Sequence, residues 1–232
     1  MSIDYSPKIV NDGLVFNMDF GNVKCYPGTG NSCYDLSGNN MIGEIINTPT
    51  YTSNINNKYF SFNGTTSSRV IRIQNSTLLD TQSPSVEVWL KTNATSQSGF
   101  WFEKGTVNTQ YSLFQEGGNI QWRMVLNGSM NTFSTNTVNA GVNTSSWFQV
   151  VGTYSTGNRR LYINSVLKNS DTATGTVAVN TGGMSIGAYG GYSGGRSYYY
   201  NGDIAIVRVY NKQLSAIEVL NNYNATKGRF GL

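Results

Sequence analysis

The chain contains no histidine, which excludes Ser-His-Asp and Cys-His nucleophile systems and histidine zinc sites and leaves any acid–base chemistry to carboxylates. Two carboxylates about 5 to 9.5 Å apart can hydrolyse a glycosidic bond without other help. The candidates are Glu87 in the run VEVWL, Glu103 and Glu116. Each reads as a single carboxylate on an amphipathic strand or in a turn, and hence as solvated surface charge, so catalysis is not expected. A second chemistry is offered by aromatic rings set among amides: Trp101, Trp122, Tyr189, Tyr192, Tyr198 and Tyr199, with Arg196 and many Gly, Ser and Asn nearby. Sugars stack their C–H faces on such rings and pair their hydroxyls with amides and guanidinium groups. A protein interface enriches the same residue types, and a Tyr-rich segment can also simply pack a sandwich. Gly190, Gly191, Gly194 and Gly195 leave the backbone of the Tyr/Gly loop adaptable, and this loop is expected to be the main contact surface.

Composition limits what could carry that surface. Charged residues are 12% and aromatics 12%, with 26 Gly and 15 Tyr, a balance that belongs to short strands and many turns. The net charge of +4 comes from basic residues scattered along the chain, so no footprint for nucleic acid is present. No apolar run is long enough to span a membrane. The opening MSIDYSPKIVNDG lacks a charged-then-apolar signal pattern, which implies synthesis in the cytoplasm. Cys25 and Cys33 flank the loop YPGTGNS; the spacing permits a small disulfide, but two free thiols are the better expectation.

The elements that must position these residues are legible in part. Residues 198 to 223 read as one unit: a turn at Asn201-Gly202-Asp203, a strand from Ile204 to Tyr210 apolar on both faces and therefore central, and a capped helix of about two turns. Ser215 and Glu218 have the spacing of a capping box, and Leu214 and Val219 that of a hydrophobic staple. A strand opens at Gly13-Leu14, followed by a loop from Gly21 to Asn40. Further strands are expected at 59–62, 69–73, 86–91 (Val86, Val88 and Leu90 inward), 100–103 and 184–189. A hairpin is expected over 110–126, with Trp122 near Tyr111 or Leu113 across Glu116-Gly117-Gly118-Asn119. Residues 148–155 and 160–169 give three more strands, the last two joined at Asn164-Ser165. About a dozen such strands make two packed antiparallel sheets in a single domain, 11–232, preceded by a tether or edge segment, 1–10.

Seven segments, GLVFNMDFGN (13–22), DLSGNN (35–40), FNG (62–64), VEVWLK (86–91), WFQVVGTY (147–154), LYIN (161–164) and YYNGDIAIVRVYNKQLSAIEVLNNYNATKGRFGL (199–232), together resemble a laminin-G-like domain of the concanavalin A-like lectin/glucanase superfamily. The resemblance implies an all-β, two-sheet antiparallel jelly-roll sandwich with a short C-terminal helix and with ligand loops on one rim or on the concave face. The glucanase branch sets its carboxylates in Glu-x-Asp-x-x-Glu, a string absent here. Calcium sites occur in such domains; the matching loop positions are Asp35, Asn39 and Asp203, where oxygen-rich turns suit a hard cation. The same aspartates suit plain turn caps. The ending resembles stand-alone domains on tailed-bacteriophage virions. That implies a non-enzymatic lectin-like structural protein located in the virion, partnered by other virion proteins, by host surface glycan or by both, and permits an oligomer. The alternatives are a free carbohydrate-binding lectin and a divergent glycoside hydrolase.

Overall fold

The computed structural model describes residues 7–54, 57–65, 69–105, 109–136, 140–192 and 197–232. Two antiparallel sheets of eight strands pack face to face. The first runs β14 (Val166–Asp171), β13 (Asn158–Ile163), β12 (Phe148–Ser155), β7 (Ser85–Thr92), β16 (Asn201–Tyr210), β5 (Lys58–Asn63) and β4 (Thr50–Ser53). β16 is long enough to hold two partners on one edge, β5 along 201–204 and β1 (Leu14–Asp19) along 206–210. The second sheet runs β11 (Ser129–Asn136), β10 (Asn119–Leu126), β9 (Thr109–Glu116), β8 (Gly99–Gly105), β15 (Met184–Ile186), β6 (Val70–Ile73), β3 (Ile42–Ile46) and β2 (Ser32–Tyr34).

The all-β sandwich and the central position of β16 are as the sequence indicates. Asn201-Gly202-Asp203 is strand and not turn, because β16 pairs with β5 from Asn201 onward. Four strands were not anticipated: β2 inside the supposed 21–40 loop, and β3, β4 and β11. β4 and β11 are edge strands, with few buried positions to reveal a period of two.

Between the sheets lies the main core, in which Val86, Val88 and Leu90 face Ile71, Leu113 and Trp122. Trp122 aligns with Leu113 as expected. It crosses the sandwich to occupy the space a side chain on Gly152 would fill, and its indole N–H donates to Thr153 O at 3.2 Å. Trp101 is equally interior. The ladder shifts register between Phe100 and Phe102, which admits both Trp101 and Phe102 to the core. Neither tryptophan is a contact residue, and that expectation is corrected: both are fully buried.

The outer face of the first sheet is covered by α1 (Ala216–Thr226) and the 3-10 turn that follows it. The capping box forms, with Ser215 accepting from Glu218 N–H and Glu218 accepting from Ser215 N–H, and the helix runs eleven residues, three turns in place of two. Leu214 and Val219 pack with Tyr210, Tyr162 and Val151. Phe230 stacks on Trp89 at 4.6 Å and against Trp147 at 4.8 Å. Of the N-terminal segment, Met1–Ser6 lie outside the described residues; Val10 packs on the helix cluster and donates to Asn222 Oδ1 at 2.8 Å.

Under the helix sits Glu87, fully buried and not a surface charge. Its side chain accepts from Arg208 (3.0 Å), Trp89 Nε1 (3.0 Å), Gln149 (2.8 Å) and Asn222 (2.8 Å). Replacing one member of a buried, hydrogen-bonded ion pair leaves the other uncompensated. Glu87→Ala is therefore expected to cost about 3–5 kcal/mol in chemical denaturation; a loss under about 1 kcal/mol would show that the helix is held by its apolar contacts alone.

Cys25 and Cys33 are free and buried. Burial raises both thiols, Cys25 to about 12, so they stay protonated and unreactive near neutral pH. The β13–β14 turn puts Asn164 at φ 49° and Ser165 at φ 63°, the pair of left-handed residues a two-residue turn requires. Serine is strained there and glycine is not. Ser165→Gly should accordingly raise unfolding stability by about 0.5–1 kcal/mol; unchanged or lowered stability would mean that the serine hydroxyl, which donates to Asn164 O at 2.6 Å, outweighs the strain.

Candidate functional site

With α1 covering the first sheet, the outer face of the second sheet is the one left to carry side chains toward a ligand. Strand alternation builds it. On β9, Tyr111 and Leu113 enter the core, and Ser112 and Phe114 face outward; on β10, Ile120, Trp122 and Met124 point in, and Gln121 and Arg123 point out. Register then lines up one polar row across seven strands: Glu44, Arg72, Ser185, Glu103, Ser112, Arg123 and Thr132.

At one end of the row is an aromatic platform. Phe100 and Phe114 stack with centroids 4.3 Å apart and planes within 4°. The Arg123 guanidinium lies 4.2 Å above Phe114, a cation–π arrangement. Its Nε donates to Thr132 Oγ1 at 3.3 Å, and Nη2 lies 3.9 Å from Glu116. Burial lowers the Arg123 pKa, against the pull of Glu116 and its other neighbours, yet a guanidinium starting so high remains charged. Tyr189 tilts onto Phe100 at 5.0 Å, and Tyr198 meets Tyr189 edge-on at 6.2 Å. Tyr198 is 52% exposed and has φ 48°, a left-handed conformation that costs a non-glycine residue on the order of 1–3 kcal/mol. A loop-to-strand hydrogen bond holds it there: its carbonyl accepts from Phe100 N–H at 3.1 Å.

Residues 189–192, the described first part of the Tyr/Gly loop, run over the row between Glu103 and Glu44. Glu103 is fully buried beneath it and accepts the backbone N–H groups of Gly190 and, at 3.0 Å, Gly191, so it too is no surface charge. Gly191 sits at φ 54°, with its backbone so close to Gly105 O that a Cβ would overlap that oxygen. Gly191, expected to leave the backbone adaptable, thus serves a close approach instead. Tyr192 is latched at the far end. Its hydroxyl donates to Glu44 Oε1 at 3.0 Å and accepts from Gln74 Nε2 at 3.3 Å, while Arg72 lies 4.8 Å over its ring. Tyr199 is half-buried on the same loop. Arg196 lies outside the described residues.

The calcium positions do not converge. Asp35 accepts from the backbone N–H groups of Asn17 and Ser37 and from the Ser37 hydroxyl, and the Asn39 amide donates to Val15 O at 2.9 Å. These are turn caps. Asp203 accepts from Ser61 at 2.6 Å and pairs with Lys91 at 3.0 Å. Asn17 pairs with Arg208, five residues along β16 from Asp203, which sets the two aspartates about 16 Å apart along the strand. They do not fit one ligand set, and among the described residues no group of three or more acidic or thiol side chains is placed to hold a metal.

The sequence missed Phe100, Phe114, Arg123, Glu44 and Arg72. The signal for Phe114 and Arg123 was present: once Trp122 is inward, its neighbours on the hairpin must face out. Phe100 depends on a bulge, which composition does not announce.

A laminin-G-type family model, described as the concanavalin A-like lectin/glucanases superfamily, matches residues 63–220. The comparison with curated protein sequences finds no match. Among solved structures, the binding domain of botulinum neurotoxin DC in complex with rat synaptotagmin II superposes with a TM-score of 0.72 at 14% identity, covering 93% of this chain and 52% of that one. A botulinum neurotoxin type C structure, from work on cell entry dependent upon interaction with two ganglioside molecules, gives 0.71 at 16%, covering 93% and 52%. The botulinum neurotoxin serotype D binding domain gives 0.67 at 19%, covering 94% and 53%. The chain spans about half the length of each, and at these identities the likeness is one of fold. Among the described residues no helix is long and apolar enough to cross a membrane.

The loop anchor can be tested directly. Hydrogen bonds to a buried charge contribute about 1.5–3 kcal/mol, so Glu103→Gln should lower stability by about that amount and speed amide exchange at Gly190 and Gly191. Unchanged exchange at those two amides would show that the loop is held by Tyr192 and the aromatic platform instead.

Proposed function

We propose that this chain, which belongs to the concanavalin A-like lectin/glucanase superfamily, is a non-catalytic, lectin-like protein of a phage particle that binds host surface glycan on the outer face of its second sheet. The observation that carries the reading is the half-exposed Tyr198 beside a guanidinium stacked on Phe114, on the sheet face that the C-terminal helix leaves open. An aromatic ring offers a sugar its apolar side while Arg123, Gln121 and Thr132 offer donors and acceptors.

The disposition of the carboxylates supports binding without hydrolysis. Glycosidases need two carboxyl groups facing one bound bond; here Glu87 lies under the helix on one sheet and Glu103 is buried beneath a loop on the other, each saturated by its own donors. The virion assignment rests on the resemblance of the C-terminal segment to stand-alone phage domains. The botulinum neurotoxin structures, one in complex with a synaptotagmin and one concerned with two ganglioside molecules, support a ligand-binding use of the fold.

Tyr198→Ala removes the exposed ring and leaves the left-handed backbone strain as it is, since alanine keeps the Cβ that causes it, so stability should stay within about 0.5 kcal/mol of wild type, the spread of ordinary surface changes. Binding to host cells and to a glycan array should fall at least tenfold. Full binding by the variant would move the site elsewhere, and absence of the protein from purified particles by mass spectrometry would overturn the virion assignment.

A further inference from the structure

The C-terminal helix does not cover the whole outer face of the first sheet. Where α1 ends, residues 224–229 face β1 and β16 across an open cleft of about 410 Å³, a volume within the range of small-ligand sites.

The foot of the cleft is built by strand alternation. Phe16 and Met18 point into the core, as do Val207 and Val209, so Asn17 and Arg208 between them face outward. They lie directly opposite each other in the β1–β16 ladder, a spacing at which cross-strand side chains meet. Both are more than nine-tenths buried, Asn17 at 6% and Arg208 at 3% exposure. Arg208 gives Nη1 to Glu87 at 3.0 Å. Its Nε–H has no hydrogen-bond partner among the described residues, and neither has Asn17 Oδ1. An unmet buried polar atom is costly. A donor and an acceptor side by side, and not bonded to each other, therefore call for one group that answers both.

Charge narrows what that group is. Among the described residues, the ionisable side chains lining the cleft are Asp19, Arg208 and Arg229. Arg208 is matched by Glu87 and Arg229 by Asp19, so a carboxylate or an ammonium would meet as much repulsion as attraction. A hydroxyl accepts from a guanidinium N–H and donates to an amide oxygen at once. Asp19 takes the Gly21 N–H and the Arg229 guanidinium on Oδ1, which leaves Oδ2 for a second hydroxyl, and its side chain is 25% exposed. Ile9, Leu36 and Ala225, all half-buried, give the C–H surface of such a ligand an apolar wall.

We infer that this cleft is a second binding site, for a neutral polyhydroxy compound of monosaccharide size, with one hydroxyl seated between Asn17 Oδ1 and Arg208 Nε and a neighbouring hydroxyl on Asp19. It lies on the opposite sheet from the Tyr198 platform and does not depend on the glycan reading of that face.

The test is titration of the intact, nitrogen-15-labelled chain with glycerol, myo-inositol, glucose, galactose and mannose, followed by NMR through the Asn17 side-chain amide and the Arg208 Nε–H. At least one compound should shift both resonances and saturate them. Asn17→Leu keeps the size of the side chain and removes the acceptor, and should weaken that binding about tenfold. Ala225→Leu narrows the cleft and leaves both polar groups in place; it should weaken binding likewise, and it carries the test alone if the first variant does not fold. Shifts with none of the five compounds, the result expected if a water molecule alone bridges Asn17 and Arg208, would overturn the site, as would full affinity in either folded variant. Tighter binding of acetate, methylammonium or alanine than of every polyol would overturn the neutral ligand. Shifts confined to the amides of Phe114, Arg123 and Tyr198 would place the sugar on the platform, overturning the second site while leaving the glycan reading in place.

Discussion

Much of the architecture depends on a single buried carboxylate. Glu87 lies on β7, beside the central strand, and takes donors from Arg208 on β16, Gln149 on β12, Trp89 on its own strand and Asn222 on α1. Asn222 also donates to Tyr210, and its carbonyl receives Val10 from the N-terminal segment. Burial alone would lower the Arg208 pKa, but the charge of Glu87 more than restores it, so the guanidinium stays charged. Such a pair is a poor source of net stability, because desolvating two ions offsets most of their attraction. Its use is directional. A helix laid on an apolar sheet could slide or rotate, whereas one whose Asn222 must meet Glu87 has one position and one register.

That fixed helix produces the asymmetry on which function rests. The first sheet has apolar residues on both faces: Ile206 and Trp89 under Phe230 on one side, Val207 and Val88 in the core on the other. The outer face of the second sheet is covered only in part: Glu103, Ser112 and Phe114 are buried there, while Thr132 and Tyr198 remain exposed. Residues 189–192 are then laid over its polar row, with the main-chain N–H groups of Gly190 and Gly191 held by Glu103. Backbone donors fix a loop without constraining its side chains, which is how Tyr189 and Tyr198 can be positioned and still be available.

How much of this was legible in the sequence follows from where the information lies. β16, the capping box, the inward set of β7 and the Trp122–Leu113 register were readable because each rests on a local pattern: a buried strand, a spacing of three, an alternation of two. Trp101 and Trp122 were misplaced because an aromatic residue looks alike whether it packs a core or meets a sugar; the space above Gly152 and the bulge after Phe100 decide, and both are tertiary facts. Glu87 and Glu103 misled for the related reason that a carboxylate on an amphipathic strand is normally solvated, and the residues that make these two exceptions stand up to 135 positions away in the chain. Asp35 followed the simpler of its two readings, the turn cap.

The C-terminal stacking of Phe230 on Trp89, together with the docking of Val10 on Asn222, has a vectorial consequence. Val10 and Phe230 both dock on the helix-covered side of the sandwich. A fusion partner, a surface or a label joined through Leu232, whose N–H donates to Lys227 O at 3.2 Å, would sit behind the first sheet, with the thickness of the core between it and Tyr198. The domain therefore has a back by which it can be mounted and a front that mounting does not occlude, so copies arrayed side by side would present their aromatic faces in parallel.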